Sequence, residues 1–209
     1  MSLSVILPVR NVEQEISGIL RSVVRQTNGI ETEFILVDMG SDDGTPLECV
    51  QLIKNERLHG FVVQNGDSDV AAALNTGIQK ASGTYISFVF ARRLYADFLR
   101  GFFETAERTG ADFVFGSSCE EDARLAERRS LSKAVQQQSG VAYMKEVIRG
   151  TLQIDLSAVL LRRDFLREAG IAFHRGLPVW ICTGIFVPLP LACAKYCAVS
   201  DAFKTKFGI

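Results

Sequence analysis

Short apolar runs alternate with amphipathic segments along the first 120 residues of the chain. Because the runs are rich in β-branched and aromatic residues, they predict strands covered on both faces: SVILPV, EFILVD (33–38), FVVQN, TYISFVF (84–90) and ADFVFGS. Between the runs, apolar residues recur every three or four positions, which predicts helices over 12–26, 45 to about 57, 69–80 and 94–108. Further on, LSAVLLRRDFLREAG predicts one more strand and a helix that ends at Gly170.

The predicted helices have recognisable start and stop signals. Asn11 stands where it can cap the first helix, with Gln14 at the reciprocal capping position. Thr45 followed by Pro46 predicts a capped start for the second helix. Gly110 predicts the end of the fourth.

Repeated strand–helix units predict an α/β fold with a doubly wound, mostly parallel sheet. The length of 209 residues fits one domain, 1–209. Ligands of such sheets bind outside the carboxyl ends of the strands. These ends are predicted at residues 8–11, 38–43, 65–69 and 90–93, and we expect them to converge on one cleft.

Composition excludes some classes of protein. The net charge of −1 lacks the basic excess of a nucleic-acid binder, so no nucleic-acid partner is expected. The five cysteines include no CxxC pair and predict no disulfide framework. Cys193 and Cys197 could share a helix face, but core packing is favoured over a metal site. His59 and His174 are each isolated and are interpreted as structural or surface residues.

Three segments bear on location and on the cleft. The N-terminal MSLSVILPVRN lacks the basic region of a signal peptide and is interpreted as the first strand. Residues 176–194 are uncharged and about as long as a membrane span, but their three prolines favour a buried connection or a surface in contact with a membrane. Residues 119–139 are polar and predict a solvated helix or loop. The alternative is a lid that carries four basic residues: Arg124, Arg128, Arg129 and Lys133.

Taken together, the strand ends resemble glycosyltransferase family 2, whose members have the GT-A nucleotide-sugar fold. SVILPVRNVEQEISGILRSVVRQT is similar to the family's first strand and helix, and FILVDMGSDDGT to its second strand and aspartate loop. DSDVAAALNTGIQKASGTYISF is similar to its third helix and fourth strand, and LLRRDFLREAGI to its C-terminal half. The resemblance covers nearly the whole chain and implies a nucleotide-sugar-binding half, 1–118, and an acceptor-side half, 119–209.

The resemblance implies that eight residues bind the nucleotide-sugar: Pro8, Asn11, Asp38, Gly40, Ser41, Asp43, Arg92 and Arg93. A carboxylate at a strand end, such as Asp38, can accept hydrogen bonds from a base or a ribose. A glycine-rich turn lets the backbone approach a ligand closely. For Asp42, Asp43 and Gly44, a tight turn held by hydrogen bonds of the aspartate side chains is an equal alternative.

The chain also departs from the family pattern. Met39 stands where a second aspartate is usual, and Phe90-Ala91-Arg92-Arg93 stands where the family has an acidic motif that holds a divalent cation. Hard cations need oxygen ligands, so no metal is expected at the usual site and no other cofactor is indicated. The stretch 180–184 lacks the acidic residue that serves as the family's base, so the catalytic residues stay unknown. Ala72 and Leu74 replace residues that are often polar.

Two explanations of the arginine pair remain open. Arg92 and Arg93 could neutralise the diphosphate in place of the metal, because a guanidinium binds phosphate oxygens through paired donors. Asp67, Asp69 and Asp97 are the nearest acids that could then replace the base. Alternatively, the chain is an inactive pseudo-glycosyltransferase that acts as a binding or partner module. A small-molecule-binding domain unrelated to sugars is a third possibility, although neither a GxGxxG sequence nor a P-loop is present.

For a working enzyme, the resemblance implies partners and a location. The donor would be a nucleotide-sugar, most often a UDP-sugar, and the acceptor a glycan or a lipid-linked molecule. The reaction would serve bacterial cell-surface polysaccharide synthesis. The protein would be cytoplasmic, at the inner face of the membrane, and the uncharged segment 176–194 is compatible with peripheral membrane contact.

Overall fold

The computed structural model describes residues 1–90, 98–117, 140–149, 154–175 and 197–199. The strands in these ranges are β1 (Leu3–Val9), β2 (Thr32–Asp38), β3 (Gly60–Gln64), β4 (Tyr85–Phe88), β5 (Phe113–Ser117), β6 (Ile154–Arg162) and β7 (Cys197–Val199). The helices are α1 (Ile16–Gln26), α2 (Thr45–Asn55), α3 (Val70–Lys80), α4 (Phe98–Thr109), α5 (Gly140–Ile148) and α6 (Arg163–Glu168). The segments 119–139 and 176–194 lie outside the described residues.

The strands form one sheet in the order β3-β2-β1-β4-β6-β5-β7. Neighbouring strands are parallel except that β6 runs antiparallel to both β4 and β5. The predicted mostly parallel α/β sheet is therefore confirmed. The order reverses between β1 and β4, since the chain passes from β1 to one side and later returns to the other. Such a switch point opens a crevice at the carboxyl ends of the strands.

Helices cover both faces of the sheet, as alternation of the strand side chains requires. On one face, Leu3, Val5 and Leu7 of β1 share a buried cluster with α1, α2 and α4. On the other, Ile6 of β1 shares a cluster with α3, α5 and α6. Both faces of β1 are thus buried, which explains its continuous apolar sequence.

The start of the first helix differs from the prediction. α1 begins at Ile16 with Glu15 at the N-cap, and no side chain caps it. Asn11 has φ +49° and is not a cap, because its side chain bonds to a second loop described below. The prediction of a helix from residue 12 with an Asn11–Gln14 capping box was therefore wrong.

The other helix ends follow the sequence signals more closely. α2 starts at Thr45, but Gly44 occupies the N-cap, so Thr45 is not the cap that its sequence context predicts. The Asp69 carboxylate caps α3 by accepting the Ala71 N–H at 2.8 Å. Gly110 and Gly170 follow α4 and α6 with φ +64° and +63°, which confirms both as stops. Within the described ranges, no helix is long and apolar enough to cross a membrane.

Candidate functional site

The carboxyl ends of β1 and β2 lie side by side at one edge of the sheet. Val9 stands opposite Asp38, and Pro8 stands opposite Val37. The Met39 N–H donates to the Val9 carbonyl at 2.9 Å, so the strand pairing continues one residue beyond β2. The chain then leaves these adjacent strands through two loops, which we call the β1 loop (10–15) and the β2 loop (39–44).

Asn11 joins the two loops through its backbone and its side chain. Its N–H donates to Ser41 Oγ at 3.1 Å, and its side-chain oxygen accepts the Asp42 N–H at 2.9 Å. Asparagine is among the residues that tolerate the left-handed backbone at this position. Asn11 therefore fixes the position of one loop relative to the other.

Asp38, the last residue of β2, holds the turn of the β2 loop through hydrogen bonds to Ser41. Its carboxylate is only 4% exposed and accepts the Ser41 hydroxyl at 2.5 Å and the Ser41 N–H at 3.3 Å. Gly40 makes the turn between them at φ +72°, and a Cβ added there would have no atom within 4 Å. Asp38 and Ser41 thus hold the turn, while Gly40 faces open space.

A second set of hydrogen bonds ties the β1 loop to the start of α2. Asp43 accepts the Thr45 N–H at 3.0 Å and the Glu13 N–H at 3.3 Å. A hydrogen bond from the Thr45 side chain, together with these backbone donors, lowers the pKa of Asp43. Glu13 in turn accepts the Gly44 N–H at 3.1 Å. These contacts agree with the turn interpretation of Asp43, although Asp42 and Asp43 are both exposed.

The buried hydroxyl of Thr45 should be needed for this loop arrangement. It accepts the Val12 N–H at 2.8 Å in a site with no solvent exposure. We expect Thr45→Val to lower the free energy of unfolding by about 1–3 kcal/mol, because the Val12 N–H would lose its partner. Thr45→Ser keeps the hydroxyl and should lose less. Urea unfolding of the three proteins checks this, and equal stability of the valine and serine variants would contradict it.

The loop between β3 and α3 holds two of the acids considered as replacement bases. Asp67 accepts the Asp69 N–H at 2.9 Å and forms an ion pair with Arg175. Asp69 caps α3. Asn65 extends the pairing with β2, since its N–H donates to the Asp38 carbonyl at 2.8 Å. Both carboxylates therefore have structural contacts, and the role of a base stays a prediction for either.

The fourth predicted strand end also reaches this edge. The Val89 N–H donates to the Ile6 carbonyl at 2.9 Å. Phe90 packs against the buried cluster that Ile6 shares with α3, α5 and α6, here called the α3-side core. Arg92, Arg93 and Asp97 lie outside the described residues, as does the stretch 180–184. Met39 and Leu74 are buried in the α3-side core, so these departures from the family pattern fill the interior.

The structure brings together Pro8, Asn11, Asp38, Gly40, Ser41 and Asp43 at the ends of β1 and β2, and their binding of a nucleotide-sugar stays a prediction. Sequence reasoning missed Glu13 and the bond between Thr45 and Val12. No local signal marks these contacts, because each joins residues about 30 positions apart. Among the described residues, no group of three or more His, Cys, Asp or Glu is placed to hold a metal ion.

Two open grooves lie away from these loops. One of about 420 Å³ runs between α1 and α2 and is lined by Leu20, Val24 and Leu52 among others. Another of about 410 Å³ lies at the amino ends of β2 and β3. Neither contains a residue of the β1 or β2 loop.

The fold is similar to that of solved glycosyltransferase structures. S. aureus TarS 1–349 superposes with a TM-score of 0.75 at 21% identity, covering 96% of this chain and 58% of that one. The complex of TarS 1–349 with UDP-GlcNAc gives a TM-score of 0.74 at 20% identity, with 96% and 56% covered. The described structure therefore has the GT-A type of fold.

The sequence comparisons identify the family. The model of glycosyl transferase family 2 matches residues 4–168, and the chain belongs to that family as a glycosyltransferase-like protein. The minor teichoic acid biosynthesis protein GgaB of Bacillus subtilis is 31% identical over 87 residues, 41% of this chain and 10% of GgaB. The uncharacterized glycosyltransferase EpsJ of Bacillus subtilis is 37% identical over 87 residues, 41% of this chain and 24% of EpsJ. The matches thus span a quarter or less of the length of these two relatives.

Proposed function

We propose that this chain binds a nucleotide-diphosphate sugar, a UDP-sugar in the first instance, and transfers the sugar to a polysaccharide or lipid-linked acceptor. The main support for this proposal is that hydrogen bonds hold the β1 and β2 loops together beside the switch point between β1 and β4. Five hydrogen bonds join the β1 loop to residues 41–45, and a sixth lies within residues 43–45. They fix the positions of both loops without a ligand. Preorganised loops lower the entropic cost of binding.

The likeness to TarS supports the choice of donor, because one of the similar structures is TarS 1–349 in complex with UDP-GlcNAc. In our proposal, Asp38 holds the β2 loop in shape, and the backbone at Gly40 and Ser41 lines the nucleotide site. Asn11 of the β1 loop and Asp43 of the β2 loop hold the two loops together, and Pro8 supports them from the end of β1. The likeness to GgaB, a teichoic acid biosynthesis protein, supports a cell-surface polymer as the acceptor class.

The residues of the usual metal site do not fit a divalent cation. Phe90 and Ala91 offer no side-chain oxygen, and Arg92 and Arg93 are positively charged. We therefore propose that donor binding does not depend on a metal. In this proposal, guanidinium groups following Phe90 neutralise the negative charge that develops on the diphosphate as the glycosidic bond to it breaks.

A pseudo-glycosyltransferase is the second candidate, and one observation favours it. Of the acids near the strand ends, Asp67 and Asp69 have structural hydrogen bonds, and Asp38 is bonded to Ser41. A general base must reach the acceptor hydroxyl with a carboxylate able to take its proton. If no such acid is present, the preorganised loops would bind a nucleotide or a partner without turnover.

Calorimetric titration with UDP, GDP, dTDP and their sugars, first with manganese and then with EDTA, tests both candidates. We expect UDP-sugar binding to survive EDTA. Arg92→Ala or Arg93→Ala should weaken it about 10-fold to 100-fold, the effect of losing a charge-assisted hydrogen bond. Arg21→Ala is the matched control, because Arg21 is exposed on α1 and paired with Glu56.

The other outcomes separate the alternatives. Binding that requires manganese would contradict the metal-independent site. Binding without release of UDP in the presence of polysaccharide or lipid-linked acceptors would favour the pseudo-glycosyltransferase. Failure of every nucleotide and nucleotide-sugar to bind would contradict the donor proposal and leave a partner module.

A further inference from the structure

β3 is an edge strand of the sheet. It pairs in parallel with β2 from Gly60 to Gln64, and no described strand pairs with its other side. An unpaired edge presents a row of N–H and C=O groups that can accept another strand. Proteins that avoid this place Pro, Lys or a bulge on the edge strand, and GFVVQ contains none of these.

The hydrogen bonds to β2 show which groups of β3 are left at the edge. The His59 carbonyl accepts the Phe34 N–H at 2.9 Å, and the Asn65 N–H donates to the Asp38 carbonyl at 2.8 Å. Because the direction of backbone groups alternates along a strand, His59, Phe61, Val63 and Asn65 face β2. The N–H and C=O groups of Gly60, Val62 and Gln64 therefore face away from the sheet.

We propose that two copies of this chain pair through β3, in antiparallel orientation, with Val62 at the twofold axis. In that register, Val62 faces Val62 of the second copy and Gly60 faces Gln64. Antiparallel partners of this kind exchange two hydrogen bonds each. Six hydrogen bonds then satisfy every edge-facing N–H and C=O group of Gly60, Val62 and Gln64 in both copies. In any other antiparallel register, at least one of these three residues would lack a partner among the same three residues of the second copy.

The side chains support the same register. Phe61 and Val63 lie on the α3 side of the sheet, opposite Ile35 and Val37 of β2. Phe61 is 39% exposed. The proposed pairing sets Phe61 of one copy against Val63 of the other, an aromatic and β-branched pair that stabilises sheets. On the opposite face, α2 contacts β3 and carries the exposed apolar side chains of Leu47 and Val50, 63% and 51% accessible.

Charges at the two ends of β3 favour the antiparallel orientation. Lys54 and Arg57 outnumber Glu56 before the strand, and Asp67 and Asp69 outnumber Arg175, the ion-pair partner of Asp67, after it. An antiparallel partner brings the basic end of one copy to the acidic end of the other, and the Val62-centred register places Arg57 near Asp67. A parallel partner would bring like charges together. A second copy is therefore a better occupant of this edge than an uncharged strand.

The dimer would join the two sheets into one, with the twofold axis perpendicular to it. The carboxyl ends of the strands then point in opposite directions in the two copies. The two candidate sites would lie at opposite ends of the joined sheet, each open to its own ligands. The pairing is independent of what those sites bind.

Sedimentation velocity across a concentration series measures the pairing directly. We expect a monomer–dimer equilibrium that Gln64→Pro weakens about tenfold or more, because proline removes an edge-facing N–H from each copy. Gln64→Ala keeps that N–H and is the matched control. Phe61→Lys should also weaken the dimer by placing a charge against Val63 of the second copy. Gly60 is unsuitable, since a Cβ there would lie 2.4 Å from the Phe34 carbonyl oxygen.

Cross-linking tests the register without requiring the proline variant to fold. An equal mixture of Phe61→Cys and Val63→Cys proteins should form an intermolecular disulfide several times faster than either alone, with wild type as the background for native cysteines. A monomer at all concentrations would overturn the proposal. So would a dimer that Gln64→Pro and Phe61→Lys leave unchanged, or a mixture that cross-links no faster than its components.

Discussion

Glu33→Ala is expected to lower the free energy of unfolding by about 2–4 kcal/mol, because the Ser4 hydroxyl and the Ser82 N–H lose their acceptor and the Gly83 N–H keeps only Ser4 Oγ. The Glu33 carboxylate is 6% exposed at the start of β2. One oxygen accepts the Ser4 hydroxyl at 2.5 Å, the Ser82 N–H at 2.5 Å and the Gly83 N–H at 3.0 Å. It thereby joins β1, β2 and the turn before β4 at the end of the sheet opposite the candidate site.

The same carboxylate should make stability depend on pH. Burial by itself would raise the pKa of Glu33, but hydrogen bonds from Ser4, Ser82 and Gly83 outweigh it and lower the pKa from its ordinary 4.5. A lowered pKa in the folded state means that the unfolded chain binds the proton more tightly. This stabilisation is therefore complete above pH 4.5 and is lost as the pH falls through the lower, folded pKa.

Glu33→Gln is the matched control, because its amide oxygen can still accept the three hydrogen bonds but cannot titrate. Urea unfolding of wild type, Glu33→Ala and Glu33→Gln at neutral pH and at a series of acidic values measures both effects. We expect the difference between wild type and Glu33→Gln to shrink as the solution is acidified. A difference that stays constant with pH, or an alanine variant as stable as wild type, would contradict this account.

Gly77→Ala should destabilise the fold by about 1–3 kcal/mol, although alanine is the better helix former. Gly77 is buried on α3 where the helix crosses β1. A Cβ there would lie 2.4 Å from Ile6 Cγ2 and 3.1 Å from Ile6 Cδ1. Ile6 is fully buried among packed side chains, and its β-branched side chain is restricted at χ1, so it has little room to move away. The helix would have to move away from the sheet.

Gly18→Ala is expected to have the opposite effect on stability, although Gly18 also lies in a helix. Gly18 lies in α1, and a Cβ there would meet no atom within 4 Å. We expect this substitution to stabilise the chain by about 0.5–1 kcal/mol, through the lower entropy of the unfolded state. Thermal and urea unfolding of the two variants measure the contrast. Two changes of the same sign would show that close packing against Ile6 does not decide the effect at Gly77.

The sequence by itself determined the class of fold. Continuous apolar runs such as SVILPV required strands buried on both faces, and the intervening 3.6-residue periodicity required helices to cover them. Connections of this length between parallel strands leave few arrangements, and the observed sheet is one of them. The strand ends that carry Pro8 and Asp38 followed directly from the ends of the apolar runs.

The tertiary structure decided what the loop residues do. Asparagine is a common helix cap, yet the side chain of Asn11 accepts the Asp42 N–H. In the same way, the hydroxyl of Thr45 accepts the Val12 N–H. A local pattern reports the preferences of neighbours in the chain, whereas these partners are more than 30 residues away and are brought together by the parallel pairing of β1 and β2. The position of β3 at the edge likewise emerged only from the order of the strands, because its Phe61-Val62-Val63 run is apolar like the runs of the inner strands.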